Sequence, residues 1–316
     1  MEVKEKKTFI YLIPKRKKKQ YNECTELIII REFIKLNHTI IPIHKFYIIN
    51  IILYLLTKKI DGIIVNSIKI LWKNKILLKF NSFIPIYWWY FDSIFSKEKI
   101  QNKVFYLAKN VSIFFNKNYN HFVELKKNGV FPIWLDQGIS KKCEFINSSK
   151  YKYDIVFFGS ISFDHTERTT ILKQLNEKYN LAIFTPMTKQ FTKIGFKNVF
   201  PAVKHEEIGK IVAESKITLV LNATTKEDYC WSNRIHLMLG NGAFCITDYI
   251  IGLEKSYVTG EDCIFVYNLD NLEKIIDEWI INDKKNERNR LRLNGYNKAN
   301  TKHTYENRIK LFMSYI

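Results

Sequence analysis

Short runs of β-branched and aromatic residues alternate with longer helical stretches along the whole chain, and the pattern restarts once, near residue 153. Parallel strands buried on both faces read as continuous apolar runs and need a crossover helix between them, so this alternation points to parallel sheets. In the first half, strands are expected at Thr8–Pro14, Thr39–His44, Gly62–Ser67, Ile84–Tyr90 and Val111–Asn116, with helices around Asn22–Leu36 and Ile68–Lys79 and a short run at Val130–Leu135. Asp136–Lys152 is polar and reads as a linker. In the second half, Tyr153–Phe158 runs into Gly159-Ser160, and a helix is expected over Thr166–Tyr179. Strands then fit Leu181–Phe184, Ile217–Leu221, Ala243–Thr247 and Cys263–Tyr267, and helices fit Glu206–Glu214, Ser232–Leu239 and Leu272–Ile281, before a charged helical pair at the C-terminus. The expected fold class is α/β, two doubly wound Rossmann-like domains in tandem. A length of 316 residues and a hydrophobic content of 47% supply two cores and exclude a disordered chain.

The charge is unevenly placed. Residues 1–150 carry 27 basic and 11 acidic side chains, net +16, whereas residues 151–316 are close to balance at +3. A lysine-rich, arginine-poor composition reflects AT-rich coding, but such a bias acts on both halves and leaves the asymmetry to be explained. Five widely spaced cysteines without a C-x-x-C pair argue against a disulfide framework or a zinc ribbon, and fit reduced thiols in a cytoplasmic protein. The N-terminal residues lack the apolar stretch of a signal peptide, and the apolar run Phe46–Leu56 is too short to span a bilayer.

Several common motifs are absent: a phosphate loop, a G-x-G-x-x-G after the first strand, an Asp-x-Asp pair and a G-x-S-x-G elbow. The seven histidines show no metal-ligand spacing. The informative stretch is Trp231 to Asp248, followed by Gly252-Leu253-Glu254. Ser232 is a good N-cap for a helix with Arg234 in its first turn. A cation there opposes the helix dipole, so Arg234 is expected to have an anionic partner: a carboxylate of the chain, or a ligand. Gly240 and Gly242 end the helix, and the next strand delivers Asp248 to its carboxyl end.

These residues resemble the C-terminal half of GT-B glycosyltransferases, in particular the CgeB-like, spore-protein-type group. The likeness rests on the Tyr153–Ser160 strand and turn with Arg168 in the next helix, Ser232-Asn-Arg-Ile, Leu239-Gly-Asn-Gly-Ala-Phe and Thr247-Asp-Tyr. It continues through Gly252-Leu-Glu, Gly260-Glu-Asp, Asn294-Gly-Tyr and His303-Thr-Tyr-Glu-Asn-Arg308, about 160 residues in the matching order. The resemblance implies a GT-B architecture, two Rossmann-like domains facing across a cleft. Residues 1–140 would bind the acceptor, 141–302 the donor, and 303–316 would form a helix packed at the domain junction. It implies a nucleotide-sugar donor, most commonly a UDP-sugar, with no tightly bound cofactor and no obligatory metal. Gly159, Ser160, Arg168, Asn222, Trp231, Ser232, Arg234, Gly242, Asp248, Gly252 and Leu253 would form the donor site, with Arg234 serving catalysis. Leu237 stands where many relatives carry a ribose-binding Glu, and Lys15–Lys19 with Arg16 replaces a glycine-rich turn after the first strand.

On the acceptor side, Asp92 closes the run Ile86-Tyr-Trp-Trp-Tyr-Phe and is a candidate general base; capping the next helix or pairing with Lys97 is the plainer reading. For Trp88 and Trp89, neighbours on a strand, one core face and one exposed face are expected. The basic first half points to an anionic acceptor, a surface or lipid-linked glycan, with peripheral contact to the inner face of the membrane. Two alternatives share the same lysines: a glycosyltransferase acting on modified DNA bases, and a non-catalytic nucleic-acid-binding protein on a decayed scaffold.

Overall fold

The computed structural model describes all residues except 1–4, 15–24, 93, 95–97, 118–121, 141–143, 149, 162–165 and 223–226. The Lys15–Lys19 cluster and Lys97 therefore lie outside the described residues. The chain forms two compact units, Met1–Ser140 with Tyr305–Ile316, and Lys141–Thr304.

The first unit holds β1 (Thr8–Leu12), α1 (Thr25–Lys35), β2 (Thr39–Ile43), α2 (Tyr47–Thr57), β3 (Gly62–Val65), α3 (Ile68–Lys73), β4 (Ile86–Tyr90), α4 (Glu98–Ala108), β5 (Ile113–Asn116), α5 (Phe122–Lys127) and β6 (Ile133–Trp134). Its six strands are parallel, in the order β2-β1-β3-β4-β5-β6. Alternate residues of each strand feed two cores. Ile10, Leu12, Ile63 and Trp88 meet α2, α3 and α4 on one face. Phe9, Tyr11, Ile64 and Trp89 meet α1 and the C-terminal helix Tyr305–Met313 on the other. Both tryptophans are therefore buried, against the expectation of one exposed face, because helices cover the sheet on both sides. The helix expected over Ile68–Lys79 breaks at Asn74, whose Nδ2 donates to the Ile70 carbonyl at 2.8 Å; a tight 3-10 stretch, Lys75–Ser82, follows.

The second unit holds β7 (Tyr153–Phe158), α6 (Thr166–Lys178), β8 (Leu181–Thr185), α7 (Thr188–Lys193), β9 (Asn198–Pro201), α8 (His205–Ala213), β10 (Ser215–Val220), α9 (Arg234–Gly240), β11 (Cys245–Asp248), β12 (Ile264–Val266), α10 (Leu272–Ile280) and α11 (Lys285–Lys302); α12 is the Tyr305–Met313 helix. The strands are again parallel, in the order β12-β11-β10-β7-β8-β9. The chain winds outward from β7 through β8 to β9, then returns to the other side of β7 to lay down β10. The boundary between β7 and β10 is thus the topological switch point, where ligands of such sheets bind beyond the carboxyl ends of the strands. The segment read as a linker is partly tied to this unit: the Ile146 carbonyl accepts from Arg292 Nη2 at 2.8 Å, and the Phe145 ring packs where a Cβ on Gly242 would lie.

Candidate functional site

Three strand ends converge at the switch point. β7 gives way to Gly159-Ser160, β10 to Leu221-Asn222, and β11 ends on Asp248. Arg234, the first residue of α9, ties the first two together. Its Nη1 donates to the Phe158 carbonyl at 2.7 Å, its Nη2 to the Leu221 carbonyl at 3.0 Å, and its Nε to Ser232 Oγ at 3.0 Å. Ser232 Oγ also accepts from the Arg234 amide at 3.3 Å, but the N-cap position expected for Ser232 is occupied by Asn233, one residue later.

Among the described residues, no carboxylate is hydrogen-bonded to Arg234. Among the described residues its hydrogen bonds all go to neutral oxygens, and each Nη keeps a second N–H for another acceptor. Burial and the neighbouring charge of Arg168 push the Arg234 guanidinium down to about 10, and Asp248 acts weakly against this. Arg168, buried on α6, donates from Nη1 to the Ser160 carbonyl at 3.2 Å; burial lowers its pKa too.

Among the described residues, the carboxylate coupled to both guanidinium groups is Asp248, which is held indirectly. Asp248 is 3% exposed and accepts from the Asn222 amide at 2.9 Å and from Asn222 Nδ2 at 2.8 Å. Burial raises its pKa to about 6, partly offset by the Asn222 bonds and by Arg168. Asn222 Oδ1 in turn accepts from the Ser232 amide at 2.7 Å, which completes a relay from Asp248 through Asn222 to the start of α9. Among the described residues, the guanidinium groups of Arg168 and Arg234 and the weakly acidic carboxylate of Asp248 meet at these strand ends. Chemically, that arrangement suits a multiply charged anion such as a phosphate or diphosphate.

Two glycines permit close packing of side chains here. A Cβ on Gly159 would lie 2.2 Å from Arg234 Nη1, so a side chain there and the bridging guanidinium are incompatible. Gly252, at φ 100, lies under Tyr229, whose ring would be 2.5 Å from a Cβ.

Of the eleven donor-site residues expected from the sequence, Gly159, Ser160, Arg168, Asn222, Ser232, Arg234 and Asp248 form this one constellation. Of the other four, Gly252 packs under Tyr229. Trp231 is buried with its Nε1 donating to His236 Nε2 at 3.3 Å, Leu253 is buried in the core, and Gly242, at φ 79, makes the turn after α9, its carbonyl accepting from Arg292 Nε at 2.7 Å. Asp92 lies in the first unit and is exposed. Tyr249 and Tyr267 fall within matched stretches but carried no expected role; their rings lie 4.7 Å apart, tilted by 46°, beyond the ends of β11 and β12. Among the described residues, no group of His, Cys, Asp and Glu could hold a metal ion.

A protein-family model described as "Glycosyl transferase-like" matches residues 168–314. Among curated protein sequences, none matches the chain significantly. Among solved structures, a complex of Anabaena Alr3699/HepE with UDP-glucose aligns over 98% of this chain and 100% of its own, at a TM-score of 0.69 and 12% identity. A sucrose-phosphate synthase from Thermosynechococcus elongatus aligns over 98% of both chains, at a TM-score of 0.72 and 9% identity. A glycosyltransferase from Rickettsia africae aligns over 98% and 97%, at a TM-score of 0.66 and 11% identity. At these identities the likeness is one of fold: the chain has the GT-B fold of glycosyltransferases, matched over nearly its whole length.

Proposed function

We propose that this protein is a glycosyltransferase, of the CgeB-like group, that moves a sugar from a nucleotide-sugar to an acceptor hydroxyl. The observation that carries the reading is Arg234, bridging the β7 and β10 ends at the switch point with no carboxylate of the described chain bonded to it. In the proposed reaction the bond from the anomeric carbon to the diphosphate oxygen breaks, and a bond to the acceptor oxygen forms. Arg234 and Arg168 meet the charge that builds on the departing diphosphate, and no metal is required for that role. UDP is the proposed nucleotide, since HepE is bound to UDP-glucose and to UDP in its solved structures; a hexosyl or pentosyl group is the proposed cargo. Asp92, as an exposed carboxylate of the basic first unit, is the proposed base for the acceptor proton in an inverting reaction. The acceptor is proposed to be anionic, a surface or lipid-linked glycan, reached by a cytoplasmic protein from the inner face of the membrane.

The test is thermal unfolding in the presence of UDP, GDP, CDP, ADP and their sugars, without added metal. UDP is expected to raise the midpoint, since a ligand at one hundred times its dissociation constant stabilises by about 2.7 kcal/mol. A flat panel, together with salt-sensitive DNA binding, would overturn the donor site in favour of a binding-only protein.

Gly159→Ala follows from the same geometry. The new methyl displaces the guanidinium, and loss of a charged hydrogen bond is expected to weaken nucleotide binding about tenfold or more. Titration calorimetry on the folded variant reads this directly, and unchanged affinity would remove Arg234 from the site.

A further inference from the structure

α2 carries no charged side chain along Tyr47–Thr57. Its inner face is anchored by Ile51, with Tyr47, Ile48, Tyr54 and Leu55 packed against the same core. On the opposite face Ile49, Ile52, Leu53 and Leu56 are exposed, Leu56 by 78%. Their spacing of three and four residues aligns all four in one stripe. Phe46, just ahead of the helix, is 73% exposed and held in left-handed backbone at φ 49, a costly conformation for an aromatic residue. Asn50 and Thr57 turn to the helix's own backbone: Asn50 Nδ2 donates to the Lys45 and Phe46 carbonyls, and Thr57 Oγ1 to Leu53. At the two ends of the stripe stand Lys45 and the pair Lys58-Lys59, all exposed. Residues 33–91 contain eight lysines and a single acid, Asp61, whose carboxylate accepts from the Thr8 amide at 2.6 Å.

We infer that this face docks on the surface of an anionic lipid bilayer, with α2 lying in the plane of the interface and its lysines among the headgroups. Eleven residues of helix are about 16 Å long, half of what a bilayer core requires, and no described helix is long and apolar enough to cross a membrane. An uncharged apolar stripe with lysines at both ends has the chemistry of an interfacial helix, in which apolar burial and attraction to anionic lipid add together. A second copy of the chain fits less well, because it would set two lysine-rimmed faces of a strongly basic half against each other. The inference extends the acceptor side of the proposed function, yet vesicle binding needs neither donor nor transfer, so the two can fail separately.

The experiment is co-sedimentation of the full chain with phosphatidylcholine vesicles, with and without phosphatidylglycerol, alongside light scattering. Wild type is expected to bind the phosphatidylglycerol vesicles and not the neutral ones. The variant Leu53→Glu with Leu56→Glu is expected to bind about tenfold less or weaker still, with its unfolding midpoint unchanged because both side chains are exposed. Lys58→Gln with Lys59→Gln is expected to lower binding and its salt sensitivity. Should the glutamate variant be unstable, Ile49→Ser with Leu56→Ser gives the same readout. Undiminished binding by the folded stripe variants would overturn the inference. So would absence of wild-type binding, or a wild-type dimer that the stripe variant converts to monomer.

Discussion

Arg234→Ala is expected to abolish sugar transfer and to weaken nucleotide diphosphate binding by about one hundredfold or more, the loss of roughly two charge-assisted hydrogen bonds. Stability moves less, because two effects oppose. The Phe158 and Leu221 carbonyls lose their donors, at about 1–3 kcal/mol for a buried group left unmade. Against that, removal relieves the burial that already depresses the guanidinium and its repulsion from Arg168. A domain stable by about 5–15 kcal/mol remains folded after the net loss. Arg234→Lys keeps a charge but cannot reach both carbonyls with a planar fork, so partial binding with poor transfer is expected. Calorimetric titration of UDP and a transfer assay check this, and normal activity in a folded Arg234→Ala protein would dissolve the assignment.

The second large effect concerns stability. Phe312 of α12 is fully buried and its ring meets those of Phe33, Tyr87, Trp89 and Phe115 at 4.8 to 6.1 Å. Phe312→Ala is expected to cost about 3–5 kcal/mol, the loss of a large buried ring plus the cavity left behind. Ending the chain before His303 removes the whole helix, with Ile309, Phe312 and Met313, and uncovers an aromatic sheet face. For a domain of ordinary stability that loss is close to the whole margin. Denaturant unfolding followed by tryptophan emission, to which the buried Trp88 and Trp89 contribute, reads it, and an unchanged midpoint in the truncated chain would show that α12 is dispensable.

Much of the fold was legible because its strands are parallel and buried on both faces, so β1, β3, β7 and β10 each stand out as apolar runs. β9 was not: Asn198-Val-Phe-Pro is short, partly exposed and ends in a proline, which an edge strand tolerates and a pattern search discards. α2 was seen only as an apolar run, because a helix hydrophobic on both faces shows no 3.6-residue alternation with polar residues. At the site, Arg234 was legible from its conflict with the helix dipole, and Asp248 from its place at a strand end. The bonds that position Arg234 were not, because its acceptors are main-chain carbonyls of Phe158 and Leu221, which any residue provides. Leu253 sits in a matched motif and Trp231 directly before one, yet both are packed inside, which reflects that a motif marks residues the local fold needs as well as those a ligand touches.

The first unit is closed by a helix that is synthesised some 165 residues after the rest of it. On a ribosome, the second unit therefore has every one of its strands available before the first has its last helix. Until α12 emerges, Tyr87, Trp89 and Phe115 present an uncovered aromatic surface, a state prone to aggregation and suited to chaperone capture. The order of assembly is the reverse of the order of synthesis: the unit that is made first is the one that finishes last.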